Sequence, residues 1–283
     1  MRSQTEIIQH IMTFALQDER IRIVTMEGSR VNPAVQPDVF QDYDICFLVT
    51  DMDSFTRNDD WLDYFGKRIM MQKPEGMSLF PPELNGWFTY LMLFEDGNRI
   101  DLKLVPIEDL EAYLASDTLI SLMLDKDDNI TDRSLPDDRF YHIIKPSPAC
   151  FDDCCNEFWW VSTYVVKGLF RKQFLYAVEH MERNVRSNLL RMLSWRAGLQ
   201  TGFSVNLGKS YASLSHYMSP EEWELLLSTF NNASFDEIWQ SLDTCHVLFR
   251  KVSSHVASAL NYLYPDYDFQ VSRYINRLHN TEI

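Results

Sequence analysis

Positive charge is scarce in this sequence. Its 283 residues carry 26 Lys and Arg against 41 Asp and Glu, a formal net charge of -15. A chain this acidic offers no basic face to a phosphate backbone, which argues against nucleic acid as a partner. Long apolar runs are missing too. Nothing approaches the ~20 apolar residues of a membrane span, and the N-terminus lacks the basic-then-apolar pattern of a leader. The five cysteines are Cys46, Cys150, Cys154, Cys155 and Cys245. An odd number, two of them adjacent, does not read as a disulfide framework, and no Cys-x-x-Cys spacing points to zinc. Reduced thiols place the protein in the cytoplasm. Glycine numbers only nine. No Gly-x-x-x-x-Gly-Lys loop, Gly-x-Gly-x-x-Gly turn or Gly-x-Ser-x-Gly elbow occurs, so the common nucleotide and hydrolase signatures are absent.

What is present is a globular composition, 46% hydrophobic, with uneven charge. Residues 1–145 hold 14 Lys and Arg against 27 Asp and Glu, and residues 146–283 hold 12 against 14. The acidic half either attracts a cationic small molecule or serves solubility alone. Periodicity predicts a helix over 3–17, strands over 21–26 and 44–49, and a helix over 61–71. Strands over 88–94 and 99–105 flank Glu95-Asp96-Gly97-Asn98, a hairpin turn. A short helix follows over 108–115. Residues 125–148 are polar and turn-rich, and the pattern then becomes helical. Asp152 or Asp153 caps a helix through Val165, a second helix covers 174–195, and residues 202–209 break it. Capping boxes at Ser219-Pro220-Glu221-Glu222 and Ser234-Phe235-Asp236-Glu237 open two more, and a last helix covers 269–278. The expectation is an α+β protein. A mixed β-sheet flanked by helices occupies 1–148, and an α-helical bundle occupies 149–283.

The chemistry concentrates in residues 27–45. Gly28-Ser29 makes a turn, and Asp42 and Asp44 stand one residue apart before the apolar run Ile45-Cys46-Phe47-Leu48-Val49. Side chains alternate along a strand, so both carboxylates project from one face. Asp101 lies on the polar side of the 99–105 strand, with Ile100, Leu102 and Leu104 opposite. Three carboxylates on two strands suit one or two Mg²⁺ ions and the phosphates they carry. The Gly28-Ser29 backbone N–H groups then face a triphosphate, with Arg30 and Lys209 as candidate cations. Trp159-Trp160 either stacks on a sugar or guanidinium group or belongs to a packed helix face. Glu157, Glu179 and Glu182 either meet a cationic ligand or are solvated helix charges.

Gly28-Ser29-Arg30 with Asp42-Tyr43-Asp44-Ile45 resembles the nucleotidyltransferase superfamily. Longer stretches sharpen the resemblance. They are Gly28-Ser29-Arg30-Val31-Asn32-Pro33, Phe40-Gln41-Asp42-Tyr43-Asp44-Ile45, Met77-Ser78-Leu79-Phe80-Pro81-Pro82-Glu83, Gly97-Asn98-Arg99-Ile100-Asp101-Leu102 and Cys154-Cys155-Asn156-Glu157-Phe158-Trp159-Trp160. With these the sequence is similar to the aminoglycoside 6-adenylyltransferases over essentially its whole length. The resemblance implies Mg²⁺-dependent transfer of AMP from ATP to the 6-hydroxyl of streptomycin, a cationic aminoglycoside, with pyrophosphate released. Another acceptor hydroxyl, or an acidic binding module without turnover, are the alternatives. By this resemblance Ser29 binds the triphosphate and Asp42 and Asp44 bind metal. It leaves open whether Asp101 takes the acceptor proton or only ligates the second ion. Glu83, Glu157, Trp159 and Glu182 are candidates to meet the acceptor, which is expected between the two domains.

Overall fold

The computed structural model describes residues 1–131 and 135–279. Two compact units divide the chain, Met1–Phe140 and Tyr141–Ile283. The first runs α1 (Gln4–Gln17), β1 (Ile21–Glu27), β2 (Tyr43–Val49), α2 (Met52–Thr56), β3 (Arg68–Gln72), β4 (Phe88–Phe94), β5 (Arg99–Pro106), α3 (Leu110–Ser116) and β6 (Ile120–Asp125). Its six strands form one mixed sheet in the order β3-β4-β5-β2-β1-β6. β2 and β5 run parallel, and the other neighbours are antiparallel.

Local chemistry explains these elements. Ser3 and Glu6 close a capping box that starts α1, and Ile7, Ile11 and Ala15 bury one stripe of it. β2 is buried from Ile45 to Val49, as a central strand covered on both faces must be. Its odd-numbered residues Ile45 and Phe47 join Tyr90, Met92, Leu102 and Leu104 in the core beneath α1. Its even-numbered residues Cys46 and Leu48 join Ile23, Val105 and Tyr113 on the opposite face. Asp44 shares that second face, so the alternation that buries β2 also aims this carboxylate.

Two strands depart from the sequence reading. A helix was expected over 61–71, but Asp60–Phe65 forms a 3-10 turn that ends at Gly66, with φ of 120°, and β3 follows. Trp61 and Phe65 anchor this turn against Phe14, and Trp61 also meets Tyr90 edge-on. Their helix-like spacing serves an aromatic cluster instead. β6 is a short strand that the pattern did not announce. It gains its place by pairing with β1.

The second unit comprises α4 (Pro148–Phe170), α5 (Phe174–His180), α6 (Ser187–Thr201), α7 (Pro220–Ser228), α8 (Phe235–Leu260) and α9 (Tyr267–His279). Ser147, not Asp152 or Asp153, caps α4, accepting from the Cys150 N–H at 3.1 Å. The expected capping box at Ser219 and Glu222 opens α7. The single helix expected over 174–195 is interrupted by a π-helical segment, Met181–Arg186. There Arg186 is buried, donates to the Thr229 carbonyl and pairs with Glu182. Phe158 of α4 stacks on Phe249 of α8, ring centres 3.7 Å apart, at the heart of this core. Among the described residues, no helix is long and apolar enough to cross a membrane.

His246 lies in the same core, 3.0 Å from the Ser162 hydroxyl. That hydroxyl spends its proton on the Phe158 carbonyl at 2.8 Å, so His246 Nε2 must donate. Burial, helped by the Arg250 charge and opposed by Asp268, pushes the imidazole pKa down to about 3. An imidazole depressed in this way is neutral in the folded protein and protonates more readily when unfolded. Its stabilising effect is therefore complete above pH 6.5 and is lost as pH falls, by about 1.4 kcal/mol per unit until the folded value is reached. Between pH 7 and 5 the thermal midpoint of the wild type should fall more steeply than that of His246→Gln. Parallel slopes in the two proteins would show that His246 is not the group responsible.

Candidate active site

Strand register assembles the acidic centre. Asp44 sits directly beside Asp101 across the parallel β2–β5 pair, and opposite Glu27 across the β1–β2 pair. Paired residues on neighbouring strands share a face, so three carboxylates project together. Asp42 stands just before β2, its Oδ2 3.6 Å from Arg99 Nη1. Burial raises the Asp44 pKa to about 6, reinforced by the negative charges of Asp101, Asp42 and Glu27 and relieved only in part by Lys103.

A polar network supports this centre from behind. Lys103 Nζ donates to Glu27 Oε2 at 2.7 Å, and the Tyr113 hydroxyl donates to Glu27 Oε1 at 2.6 Å. Thr25 hydrogen-bonds the same tyrosine hydroxyl. Burial pulls the Lys103 ammonium down, but Glu27 outweighs it and leaves the pKa above its ordinary value. Glu27 is thereby fixed in place, one residue before the turn that follows.

That turn is the 3-10 segment Gly28–Arg30. Gly28 has φ of +71°, and a Cβ there would run into the Asp44 carboxylate. Its N–H donates to the Leu119 carbonyl at 3.3 Å, so it does not point outward as the sequence suggested. The contribution of Gly28 is instead the space it leaves for Asp44. Ser29 remains beside it, half-buried, its carbonyl accepting from Gln41 Nε2 at 3.2 Å. Arg30 is engaged with the chain itself. Its Nε reaches the Asp42 carbonyl at 2.8 Å, its Nη2 reaches the Gln41 carbonyl at 2.7 Å, and its guanidinium lies 3.7 Å over the Tyr43 ring. As placed, it clamps the segment that delivers Asp42 and Asp44, and we assign it to positioning rather than to phosphate contact.

The remaining candidates scatter. Glu83 is exposed in the loop before β4, its N–H bonded to Glu75 at 2.9 Å. Lys209 is exposed in the turn after α6. Glu157 lines a groove of about 520 Å³ on the helical unit with Asp153, Asn184, Asn188, Arg191 and Trp195. Its carboxylate accepts from Asn184 Nδ2 at 2.9 Å. Glu182 is taken up by Arg186 and by Asn232 Nδ2, so it is a counterion of the core. Trp159 is only 1% exposed, tilted against His246 and edge-on to Phe249. This corrects its assignment to the acceptor: the indole has no face left to offer. Its neighbour Trp160 is the exposed member of the pair.

Sequence reasoning missed Arg99. Both oxygens of Asp101 accept from it, at 3.0 and 2.9 Å, while its other arm faces Asp42. These carboxylates hold the guanidinium pKa above its ordinary value. The signal was available in Arg99-x-Asp101, two positions that share a strand face.

A magnesium site was expected here. Among the described residues no three His, Cys, Asp or Glu side chains already converge on one metal position. The donor set nevertheless fits a magnesium ion, which takes hard oxygens and fills its remaining positions with water and phosphate. The crowding that raises Asp44 is also a deficit of positive charge that such an ion would offset. Asp42, Asp44 and Asp101 are the residues that would hold it.

A mixed sheet that presents carboxylates from neighbouring strands beside a Gly-Ser turn defines an enzyme of the nucleotidyltransferase class. The chain belongs to the streptomycin adenylyltransferase family, whose model matches residues 1–278. It is 54% identical over 275 residues to the aminoglycoside 6-adenylyltransferase of Bacillus subtilis (strain 168), covering 97% of each chain. It is 52% identical over 277 residues to that of Campylobacter jejuni, covering 98% of this chain and 96% of the relative. A solved structure of an aminoglycoside 6-adenyltransferase from Bacillus subtilis aligns over 99% of this chain and 100% of its own, with a TM-score of 0.51 and 49% identity.

Proposed function

We propose that the protein transfers AMP from ATP to the 6-hydroxyl of streptomycin and releases pyrophosphate. The observation that carries this reading is the in-register pair Asp44 and Asp101, with Asp42 beside it, in a chain of this family. In this reading Asp42, Asp44 and Asp101 would hold Mg²⁺. When bound, the metal would supply positive charge and Lewis acidity toward phosphate oxygens. The chain itself supplies position. The Ser29 hydroxyl receives the triphosphate, and Asp101 accepts a hydrogen bond from the acceptor hydroxyl. The bond from the 6-oxygen to the α-phosphorus forms as the bond from that phosphorus to the β-phosphate bridging oxygen breaks. Pyrophosphate leaves with the electron pair, and the proton of the 6-hydroxyl passes along its hydrogen bond to Asp101. Glu83 meets a cationic group of the acceptor. Alignment and fixed charge, rather than covalent chemistry by the protein, make up most of the catalysis. Reduced thiols and an ATP supply suit a cytoplasmic setting.

The test is incubation of the protein with Mg-ATP and streptomycin. The expected product has gained one AMP at the 6-hydroxyl, with one pyrophosphate released per product, and chelation of the metal stops the reaction. A panel of other aminocyclitols and hydroxyl acceptors belongs in the same assay. AMP on a different acceptor alone, or no pyrophosphate at all, would overturn the proposal.

A further inference from the structure

We propose that Arg99 is a built-in competitor of the divalent cation, a guanidinium that holds the same carboxylates, Asp101 and Asp42, and opposes metal binding at them. This rests on the reading that Asp42, Asp44 and Asp101 take the cation. Both Asp101 oxygens are already used, by Arg99 Nε at 3.0 Å and by Nη2 at 2.9 Å. Nη1 stands 3.6 Å from Asp42 Oδ2. A cation that binds Asp101 competes with this fork for the same two oxygens and sets a second positive charge beside it. The exchange is sterically open. Arg99 begins β5, at the edge of the hairpin turn, and its side chain is 43% exposed, whereas that of Asp101 is 17% exposed. The arginine can swing outward while the carboxylate stays.

Displacement has a consequence for the order of binding. A bare cation weakens a two-toothed, charge-assisted contact and gives the guanidinium no new partner. A cation that arrives with a triphosphate brings phosphate oxygens, which a guanidinium grips as readily as a carboxylate. Arg99 therefore disfavours metal alone and favours metal with nucleotide. This is a coupling between two ligands, and it is reciprocal.

The test uses the full chain, treated with EDTA and titrated with Mn²⁺ by calorimetry, with and without a non-hydrolysable ATP analogue. Wild type is compared with Arg99→Gln, Arg99→Lys and Asp44→Asn. Without nucleotide, Arg99→Gln should bind Mn²⁺ roughly tenfold more tightly than wild type, as loss of a charge-assisted competitor requires. Arg99→Lys, which keeps the charge but not the fork, should fall between them. The analogue should strengthen Mn²⁺ binding more in wild type than in Arg99→Gln. Equal or weaker Mn²⁺ binding by Arg99→Gln, with Asp44→Asn impaired, would overturn the role of Arg99 alone. Undiminished Mn²⁺ binding by Asp44→Asn would overturn the metal reading on which it rests.

Discussion

Asp44→Asn should lower adenylyl transfer by at least about a thousandfold and leave the protein more stable than before. The loss follows from the position of Asp44, between Asp101 on one neighbouring strand and Glu27 on the other. An amide there is a poor ligand for a hard cation and removes one of the charges that would hold it. The gain in stability comes from the same crowding. Burial and three nearby carboxylates lift the Asp44 pKa from 3.8 to about 6. A group whose folded pKa is raised favours folding only when protonated. Its cost is complete above about pH 6 and vanishes below pH 3.8. At pH 7.5 the ionised side chain costs about 3 kcal/mol, and removing it should raise the melting point by several degrees. The difference in melting point between the two proteins should shrink toward zero at pH 4. Turnover within tenfold of wild type would sink the assignment of Asp44. A melting point lowered across the whole pH range would show that its carboxylate stabilises the fold instead of straining it.

The acidic centre was legible because it obeys the simplest rule in the chain. A period of two placed Asp44 on the face opposite Ile45 and Phe47, and Asp101 opposite Ile100 and Leu102. β2 and β5 confirm both faces. The Gly97-Asn98 turn and the Ser219 box were legible because they act within a few residues, whereas the start of α4 was placed at Asp152 or Asp153 and lies at Ser147. What lay hidden depends on distant partners. Trp61 and Phe65 have helical spacing, but Phe14 and Tyr90 decide that they anchor a turn. Trp159 and Trp160 are adjacent and alike, and only the packing of α4 on α8 buries one and exposes the other. In the sequence Gly28 reads as a backbone N–H donor to phosphate and Arg30 as a cation for it. Their actual contacts are to Asp42, Gln41, Tyr43 and Leu119, and they arise only when the turn folds against its neighbours. The helix over 174–195 failed differently. Its apolar period is sound, but a π-helical segment lodges the Arg186 charge within it, where Thr229 and Glu182 receive that charge.

Gly28→Ala should reduce kcat by about a hundredfold while costing the fold only about 1–2 kcal/mol. Two effects act together, and a control separates them. The first is conformational: φ of +71° is a left-handed backbone that alanine adopts at a cost. The second is contact, because the new methyl would collide with Asp44 Oδ2 and approach its Cγ to 3.2 Å. The turn cannot easily retreat. Its N–H is tied to Leu119, Glu27 before it is held by Lys103 and Tyr113, and Arg30 after it is tied to Gln41 and Asp42. The carboxylate must therefore move, and a displaced ligand weakens Mn²⁺ binding as well as turnover. Gly86 supplies the control. Its φ is +106°, yet a Cβ there meets nothing within 4 Å. Gly86→Ala should lose stability through backbone strain alone and keep wild-type kcat and Mn²⁺ affinity. If Gly28→Ala keeps kcat within threefold of wild type, Asp44 has room that the geometry denies it. If both variants lose activity equally, backbone strain rather than contact with Asp44 explains the effect. The expected split, with Mn²⁺ affinity and kcat lost only in Gly28→Ala, would make the missing side chain at Gly28 part of how this sheet holds its carboxylates in place.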